Sequence, residues 1–345
     1  MSAHRVVLIG LGMVADTHAH ALAAAANATL HGVFARRIPQ ARDFAQAHGQ
    51  PHVYETLDAV CTDTDVDFAL LVTPPDARLE IVKALVAARI PVLMEKPVER
   101  DTVRATQIVD LCDNAGVPCG VTLQHRMRSA AQALRARLAD GTLGEIGSID
   151  VRIPWWRDQG YYDAPGRGTY ARDGGGVLLT QAIHTLDLML DLCGPVRQVQ
   201  ALTATSRLHA LEAEDFATGG LVFESGAVGA VTASTTHYPG GTEEIVINAT
   251  RASARLAGDH LVLHCRDGRV EEIGGASQTG GGADPMAFTH AWHQAVIEDF
   301  AAALSEHRAP AITGRSALAV HRLIDAMVLS SRAGRAVVLE GDDHG

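Results

Sequence analysis

The sequence is poor in aromatic residues and has neither paired cysteines nor a long apolar run. Only 4% of its 345 residues are Phe, Trp or Tyr, whereas alanine and glycine are abundant, which suits helices packed closely against a sheet. The five cysteines form no C-x-x-C pair, which argues against a disulfide framework and a zinc knuckle. Without a signal peptide or a membrane-spanning run, the sequence predicts a cytoplasmic protein with no membrane partner.

Clustered positive charge is also lacking. The net charge is -11 at pH 7, whereas nucleic acids and anionic membranes bind to clustered positive charge. Seventeen histidines suggest metal binding, but His290 and His293 are only a pair at helical spacing, and no third ligand follows by spacing. The sequence therefore predicts no nucleic-acid partner and no metal site, and leaves a small-molecule ligand open.

Strand-like and helix-like segments alternate through the first third of the chain. Short apolar runs such as RVVLI at 5–9 and FALLV at 68–72 are followed by helical segments, a pattern typical of a parallel sheet with helical crossovers. Beyond about Gln124, long segments alternate with period two, which indicates a large, open, mostly antiparallel sheet. We predict an α/β protein with domains at 1–123 and 124–345, closed by helices at 286–305 and 315–333.

The first strand runs directly into a glycine motif, G-x-G-x-x-A, at the opening of a helix. The first glycine permits a tight turn, the second lets the backbone approach a pyrophosphate, and the small third residue allows close helix packing. The helix terminus adds N–H groups and a favourable dipole. The alternative is an ordinary strand-to-helix turn, but the position predicts a dinucleotide-binding Rossmann domain, with contacts from Gly10, Gly12, Met13, Val14 and Ala15.

The end of the second strand bears on the choice of cofactor. An acidic residue there would hold the ribose 2'-hydroxyl of NAD, but Ala35, Arg36 and Arg37 stand at this point. Arginines form charge-assisted hydrogen bonds with a 2'-phosphate. We therefore predict NADP as the preferred cofactor. The alternative is NAD, in which case the two arginines are simply a solvated surface pair.

Two further motifs follow apolar strands and so belong at the carboxyl edge of the sheet, where a dinucleotide binds. Thr73 and Pro74 follow the fourth strand, and Glu95, Lys96 and Pro97 follow the next. The Lys96–Pro97 bond is a candidate for the cis form. Lys96 is either a surface lysine or a reactive group in the crevice, and Gln124, after the last strand, is a further candidate cofactor contact.

These motifs together resemble one family. G-x-G-x-x-A with His18 three residues on, V-T-P-P, M-E-K-P and GGG-x7-H-x-x-D, in this order, resemble the glucose-fructose oxidoreductase/inositol dehydrogenase/rhizopine catabolism (Gfo/Idh/MocA) family. The similarity spans nearly the whole chain, including SSRAGRAVVL near its end. The resemblance implies a Rossmann domain followed by an α/β domain with a large open sheet. It also implies NAD(P)-linked hydride transfer at a carbinol of a sugar, sugar acid, inositol or related polyol.

Within this resemblance, the helix after Gly174, Gly175 and Gly176 carries the proton-handling group. On a regular helix Thr180, His184 and Asp187 would share one face. We predict that the substrate hydroxyl lies between Lys96, which stabilises the developing alkoxide, and His184, which is the general base. Many relatives have Asp where Thr180 stands, so His184 is expected to be a weaker base. By itself, His184 is better explained as a core histidine, and the functional role is favoured only in combination with the glycines, Lys96 and the dinucleotide motif.

Other candidates for substrate contact flank the second domain's first strand. Arg126 follows the last strand of the first domain, with His125 a weaker candidate, and interdomain linkage is the alternative for both. Arg157 and Tyr162, in the aromatic segment 155–162, are further candidates. Aromatic rings stack on sugars, and arginine binds carboxylate or phosphate. Sheet packing or a dimer interface also explains part of that segment. The glycine-rich run 274–284 is an active-site loop or a tether.

The sequence is therefore interpreted as an NAD(P)-dependent sugar or polyol dehydrogenase or reductase. Its partners are a carbohydrate-like small molecule and, on the family pattern, copies of itself in a homodimer or homotetramer. The competing hypothesis is a catalytically inactive, dinucleotide- or sugar-responsive binding protein on the same scaffold. Replacement of the usual Asp by Thr180 favours this alternative, whereas the presence of both Lys96 and His184 opposes it.

Overall fold

The computed structural model describes residues 3–276 and 279–339 and divides into two compact units. The first comprises Met1–Gln124 and Thr289–Leu318, and the second His125–Phe288 and Ala319–Gly345. The sequence analysis places all of 124–345 in the second domain. In the structure, the segment 289–318 joins the first unit because its helix packs on the first helix and Val121 N–H donates to the Ile312 carbonyl at 3.2 Å.

The first unit is built on a six-stranded parallel sheet in the order β3-β2-β1-β4-β5-β6. Its strands are β1 (His4–Ile9), β2 (Ala28–Phe34), β3 (His52–Tyr54), β4 (Phe68–Leu71), β5 (Val92–Glu95) and β6 (Cys119–Thr122). Its helices are α1 (Ala15–Ala24), α2 (Ile38–Ala47), α3 (Leu57–Thr62), α4 (Arg78–Ala87) and α5 (Thr102–Ala115), joined later in the chain by α9 (Ala291–Glu306). The strand order reverses between β1 and β4, which is where such sheets bind dinucleotides.

Local sequence explains why these elements form. β4 and β5 are buried along their whole length, as expected for central parallel strands covered on both faces. The side chain of Asp101 accepts a hydrogen bond from Arg104 N–H and so caps α5, while Gly116, at φ +63°, ends the helix in the left-handed conformation. These signals fix the helices that lead into and out of the sheet's carboxyl edge.

The second unit contains a nine-stranded sheet in the order β14-β13-β12-β11-β7-β10-β9-β8-β15. Of the strand pairs, β7 with β10 is parallel and the others are antiparallel. The strands are β7 (Ile146–Pro154), β8 (Val196–Ala204), β9 (Phe216–Phe223), β10 (Val228–Ser234), β11 (Glu244–Ala249), β12 (Ala252–Ala257), β13 (His260–Cys265), β14 (Val270–Gly274) and β15 (Val337–Val338). The predicted fold class, a parallel sheet followed by a mostly antiparallel one, is confirmed.

The helices of the second unit are α6 (Ser129–Ala139), α7 (Gln159–Tyr162) and α8 (Ile183–Cys193). A π-helical turn, Leu178–Ala182, leads directly into α8. The closing helix α10 (Gly314–Ala333) begins in the first unit and ends in the second. Across residues 3–276 and 279–339, no helix is long and apolar enough to span a membrane.

Candidate active site

The glycine turn after β1 has the geometry that a dinucleotide requires. Gly10 adopts φ +93°, and a Cβ there would lie 2.8 Å from the Thr73 nitrogen, so only glycine fits. At Gly12 a Cβ would meet only the Val72 carbonyl, at 3.9 Å, which leaves room over the exposed loop. No side chain caps the start of α1, where Ala15 N–H donates to the Gly12 carbonyl at 3.1 Å and the helix dipole favours an anion. These residues fit the pyrophosphate of a nicotinamide dinucleotide.

The end of β2 presents the two arginines beside this turn. Ala35 is buried, whereas Arg36 and Arg37 are exposed. Arg37 Nε donates to the Gln40 side-chain oxygen at 3.1 Å, and Gln40 in turn donates to the Leu11 carbonyl at 2.7 Å. One arginine is therefore tied to the glycine turn, and the other extends into solvent next to it.

Thr73 and Pro74 follow β4 on the neighbouring strand. The buried Thr73 Oγ1 has no hydrogen-bond partner among the described residues, so a bound ligand would satisfy it. Gln124, at the end of the first unit, is also buried. Its side-chain oxygen likewise has no hydrogen-bond partner within the described part of the chain. Both observations favour the predicted cofactor contacts without identifying the ligand.

Lys96 lies at the carboxyl end of β5. Its backbone N–H donates to Oε2 of Glu95 at 3.1 Å, and the Lys96–Pro97 bond is cis, as predicted. The main chain on both sides of Lys96 is bound by the buried guanidinium of Arg78, which donates to the carbonyls of Glu95 and Pro97. Sequence reasoning did not single out Arg78.

Glu95 is the centre of a buried cluster with two histidines from other elements. His18 Nε2 on α1 lies 2.8 Å from Oε1 of Glu95, and His293 Nε2 on α9 lies 3.7 Å from the same oxygen. Burial disfavours ionisation of Glu95, but the hydrogen bond with His18 and nearby positive charge outweigh it and lower its pKa to about 2. Burial, with the charge of His18, lowers the pKa of His293 to about 3, so His293 is neutral at neutral pH.

The same three side chains are potential metal ligands, because their ligand atoms all lie within 4.8 Å of one another. Two histidines and a glutamate are a donor set that zinc accepts. Ligands of a tetrahedral zinc ion would be about 3.3 Å apart, however. His18 and Glu95 are 2.8 Å apart, which is the distance of a direct hydrogen bond. The arrangement is that of a hydrogen-bonded cluster around an ionised carboxylate.

In the second unit, the π-helical turn and α8 carry His184. Its ring stacks on that of His125, with centroids 4.8 Å apart and an interplanar angle of 26°. Arg128 donates to His125 Nε2 at 2.6 Å, so this nitrogen accepts and the proton of neutral His125 is on Nδ1. His184, itself buried, therefore rests against a neutral ring held by an arginine.

The two residues predicted to flank His184 have other bonds. Thr180 Oγ1 donates to the Gly176 carbonyl at 2.6 Å, within the π-helical turn. Asp187 is bound by Arg126, whose Nε donates to Oδ2 at 2.7 Å and whose Nη2 donates to Oδ1. Arg126 also donates to Asp191 at 3.2 Å. Asp187 thus pairs with Arg126.

Arg157 and Tyr162 lie in the aromatic segment after β7, and both side chains are buried. The Arg157 guanidinium donates to the carbonyls of Gly280 and Gly282, each at 2.7 Å, so it holds the glycine-rich run in place. Tyr162 Oη is 2.7 Å from Thr235 Oγ1, and burial raises the pKa of Tyr162 to about 12. The neighbouring Tyr161 accepts from Gln181 at 3.4 Å and so links this segment to the π-helical turn.

A buried histidine–aspartate pair supports this segment, and sequence reasoning missed it. His209 Nε2 lies 2.8 Å from the Arg157 carbonyl, and Nδ1 lies 2.8 Å from Oδ2 of Asp215. A carbonyl only accepts, and Asp215 also receives hydrogen bonds from Ser206 N–H and Oγ. Both His209 nitrogens therefore face hydrogen-bond acceptors, and the ring links the main chain of Arg157 to Asp215. No spacing signal joins His209 to Arg157, because their contact arises only in the fold.

The comparisons with known proteins agree with this architecture. The model described as an oxidoreductase family with an NAD-binding Rossmann fold matches residues 4–123, and the GFO/IDH/MocA C-terminal domain matches 131–255. A D-apiose dehydrogenase of Paraburkholderia graminis is 27% identical, over 96% of this chain and 89% of its own. An inositol 2-dehydrogenase of Rhizobium meliloti is 25% identical, over 96% and 98%.

Solved structures have the same fold. The WlbA dehydrogenase of Bordetella pertussis, in complex with NADH and UDP-GlcNAcA, matches with a TM-score of 0.83 at 26% identity, over 99% of this chain and 100% of that one. A levoglucosan dehydrogenase in complex with NADH and levoglucosan reaches a TM-score of 0.86 at 21% identity, over 99% and 100%. The predicted resemblance is confirmed: this chain belongs to the GFO/IDH/MocA family of NAD-binding oxidoreductases.

Proposed function

We propose that this protein is a dehydrogenase or reductase that transfers a hydride between a nicotinamide dinucleotide and a carbinol of a sugar, sugar acid, inositol or similar polyol. The observation that carries the proposal is the placement of Lys96 after β5, beside the glycine turn after β1 and the Thr73 loop after β4. The names of the relatives, which include apiose and inositol dehydrogenases, support the substrate class.

Lys96 stands out against the composition of the chain. The sequence has 29 basic residues excluding histidine, and only two of them, Lys83 and Lys96, are lysines. Arginine cannot release its proton in a protein, whereas an ammonium group can both stabilise negative charge and exchange a proton. A lysine at position 96 in this arginine-rich chain favours a role that arginine would not fill.

In the proposed reaction, the bound nicotinamide supplies the hydride acceptor. The Lys96 ammonium stabilises the alkoxide that develops as the carbinol loses its hydride. Burial opposes the ionisation of Glu95, but the hydrogen bond with His18 and nearby positive charge, including that of Lys96, lower its pKa to about 2, so Lys96 is next to an ionised carboxylate. Lys96 then acts first as an electrostatic group.

His184 is the proposed proton acceptor for the same hydroxyl. Stacking on neutral His125 avoids the repulsion that a second imidazolium would cause. Asp187 forms an ion pair with Arg126, so the effect of its negative charge on His184 is largely cancelled. We therefore propose that His184 contributes about 10²-fold, the lower end of general-base catalysis.

The other residues predicted to bind the substrate differ in the contacts they make. Arg126 orients α8 through Asp187 and is proposed to act on the substrate indirectly. Thr180, half-buried at the π-helical turn, is a candidate for direct contact, because such turns are frequent at functional sites. Arg157 and Tyr162 shape the aromatic segment, and Arg157 Nε has no partner among the described residues. That N–H is a candidate donor to a substrate oxygen.

We propose NADP as the preferred cofactor, on the strength of exposed Arg36 beside the glycine turn. The relatives in NADH complexes make NAD the competing choice. In the variant Arg36→Asp the 2'-phosphate would meet a carboxylate, so the ratio of kcat/KM for NADP to that for NAD should fall about 10²-fold, as a lost charge-assisted bond plus repulsion implies. An unchanged ratio would show that Arg36 does not read the 2'-position.

Activity is tested by the absorbance of reduced nicotinamide, with either cofactor, on a panel of aldoses, sugar acids, inositols and polyols. The variant Lys96→Met should lose at least about 10³-fold in kcat while cofactor affinity stays within about 3-fold, because the lost interaction forms only in the transition state. Lys83→Met, at an exposed position paired with Glu80, is the matched control and should retain activity. Cofactor binding without turnover on any substrate would favour the non-catalytic binding protein.

A further inference from the structure

Arg78 is a buried cation whose hydrogen bonds all go to main-chain carbonyls. It is the first residue of α4, is 2% exposed and is among the largest fully buried side chains of the described structure. Nε and Nη2 donate to the Thr73 carbonyl at 3.1 and 2.8 Å, and Nη1 donates to the carbonyls of Glu95, Pro97 and, at 3.4 Å, Val98. Burial lowers the pKa of Arg78 to about 10, so it remains charged at neutral pH.

These acceptors belong to two separate loops at the carboxyl edge of the sheet. Thr73 lies in the loop after β4, and Glu95–Val98 is the loop after β5 that contains Lys96. The glycine turn after β1 is packed against the first of these loops, since a Cβ on Gly10 would lie 2.8 Å from the Thr73 nitrogen. The guanidinium of Arg78 therefore connects the main chain on both sides of Lys96 to the Thr73 loop, which adjoins the glycine turn.

This position is unfavourable for an arginine on general grounds. A cation at the N-terminus of a helix opposes the helix dipole, and a buried charge loses its hydration. For a purely structural contact between two loops, a neutral donor would avoid both costs. The planar guanidinium offers five N–H donors in fixed directions, so it can bind several carbonyls of two loops at once.

We propose that Arg78 is a positioning residue that fixes the main chain of Lys96 relative to the Thr73 loop. The inference rests on the proposed function, because it assigns to Arg78 the placement of the proposed catalytic lysine. A lysine at position 78 would keep the charge but present a single ammonium group, which cannot bond to Thr73 and Pro97 with the same geometry. The Lys96 loop would then be held on one side only.

The test compares Arg78→Lys and Arg78→Gln with Arg89→Lys. Arg89 also binds a carbonyl, that of Ala115 at 2.6 Å, but is exposed after the other end of α4. We expect Arg78→Lys to lower kcat about 10²-fold, as a misplacement of about 1 Å can do. KM for the cofactor should change less than about 3-fold, because Lys96 acts in the transition state. Arg89→Lys should match the wild type.

Hydrogen exchange gives a second readout that does not depend on turnover. Peptides covering 72–76 and 94–99 should exchange at least about 10-fold faster in Arg78→Lys, while peptides from β1 and β6 stay protected. Unchanged exchange in both peptides, or kcat equal to that of Arg89→Lys, would overturn the proposal. Failure of both Arg78 variants to fold would also overturn it, because Arg78 would then be required for the fold itself. An inactive wild type with the exchange pattern intact would reject the proposed function but keep the positioning role.

Discussion

His293 should make the first unit sensitive to mild acid. Its imidazole is 1% exposed on α9, and burial together with the charge of His18 lowers its pKa from 6.5 to about 3. Below about pH 6.5 the unfolded chain takes up a proton at this histidine, whereas the folded protein does so only near pH 3. Because unfolding binds a proton in this window, stability is complete above pH 6.5 and is lost progressively as the pH falls towards 3.

The size of the loss follows from the shift. Each pH unit below 6.5 costs about 1.4 kcal/mol of the free energy of unfolding, so the loss between pH 7 and pH 4.5 is about 3 kcal/mol. The lower limit of pH 4.5 avoids the titration of Glu95 in the same cluster. Burial opposes the ionisation of Glu95, but the His18 hydrogen bond and nearby charges hold its folded pKa at about 2, so its own contribution is lost only below about pH 4.5.

The measurement is urea unfolding of the wild type and His293→Gln at pH 7 and pH 4.5. Glutamine can still donate to Glu95 but does not titrate. Trp292, the neighbouring buried residue, is a fluorescence reporter in the first unit. The wild type should lose about 3 kcal/mol more than the variant over this range, since other titrating groups cancel in the difference.

His52→Gln is the matched control, because His52 is an exposed histidine of the same unit. Its unfolding free energy should follow that of the wild type at both pH values. If the wild type and His293→Gln lost equal free energy between pH 7 and 4.5, His293 would not be buried in its neutral form, and the reasoning would be refuted.

Two further predictions concern the second unit. A Cβ at Gly176 would lie 1.7 Å from the Glu214 carbonyl oxygen, whereas at Gly175 the nearest contact would be Leu179 Cβ at 3.4 Å. Gly176→Ala should therefore cost at least about 2 kcal/mol more than Gly175→Ala in urea unfolding, and equal losses would contradict this packing. Asp187→Asn leaves buried Arg126 without its bidentate carboxylate and should destabilise the unit by about 3 kcal/mol, measured in the same way. A change below about 0.5 kcal/mol would show that the pair is not buried in solution.

Most of the fold could be predicted from the sequence because its signals are local. The apolar runs of β1, β4 and β5 and the helix over 129–139 correspond closely to the elements observed. The helix predicted at 286–305 instead begins at Ala291, because the chain just before it is used in a turn. Gly280 N–H donates to the Ala287 carbonyl at 3.1 Å, and Thr279 pairs with Phe288. Such a contact between distant residues gives no periodic signal.

The candidate site residues were also identified from local signals. Gly10, Lys96 and His184 lie in short motifs that can be identified in isolation, and the cis Lys96–Pro97 bond was predicted from the residue type. The spacing argument for Thr180 and His184 assumed a regular helix, whereas the structure has a π-helical turn at Leu178–Ala182, which changes the angular relation between these positions. The roles of these residues stay predictions.

The contacts that sequence reasoning missed share one property: each joins distant parts of the chain. His18, Glu95 and His293 come from α1, β5 and α9, and only the first two fall within motifs. Arg78 belongs to no motif. A search for charged residues next to the proline-rich loop at the sheet edge would nevertheless have found it. The local pattern predicts which helices and strands form, whereas the contacts between their ends depend on the tertiary fold.

Buried arginines in this protein fall into two groups, and the difference bears on how the site is organised. Arg126 and Arg128 bind carboxylates, Asp187 and Glu243, and so balance charge within the second unit. Arg78 and Arg157 donate to backbone carbonyls and so hold loops.

A carbonyl-bound guanidinium keeps its positive charge uncompensated by a direct ion pair, which adds a positive potential to the loop it holds. The donors of a guanidinium point in fixed directions, so the loop it binds is held in one geometry. At Arg78 that loop carries Lys96, and at Arg157 it is the glycine-rich run at 280–282. An anionic group bound at either loop would be stabilised by the potential of the arginine that holds that loop. Replacing Arg78 by a neutral residue would then weaken anion binding as well as loosen a loop, and the ionic-strength dependence of cofactor affinity separates the two effects.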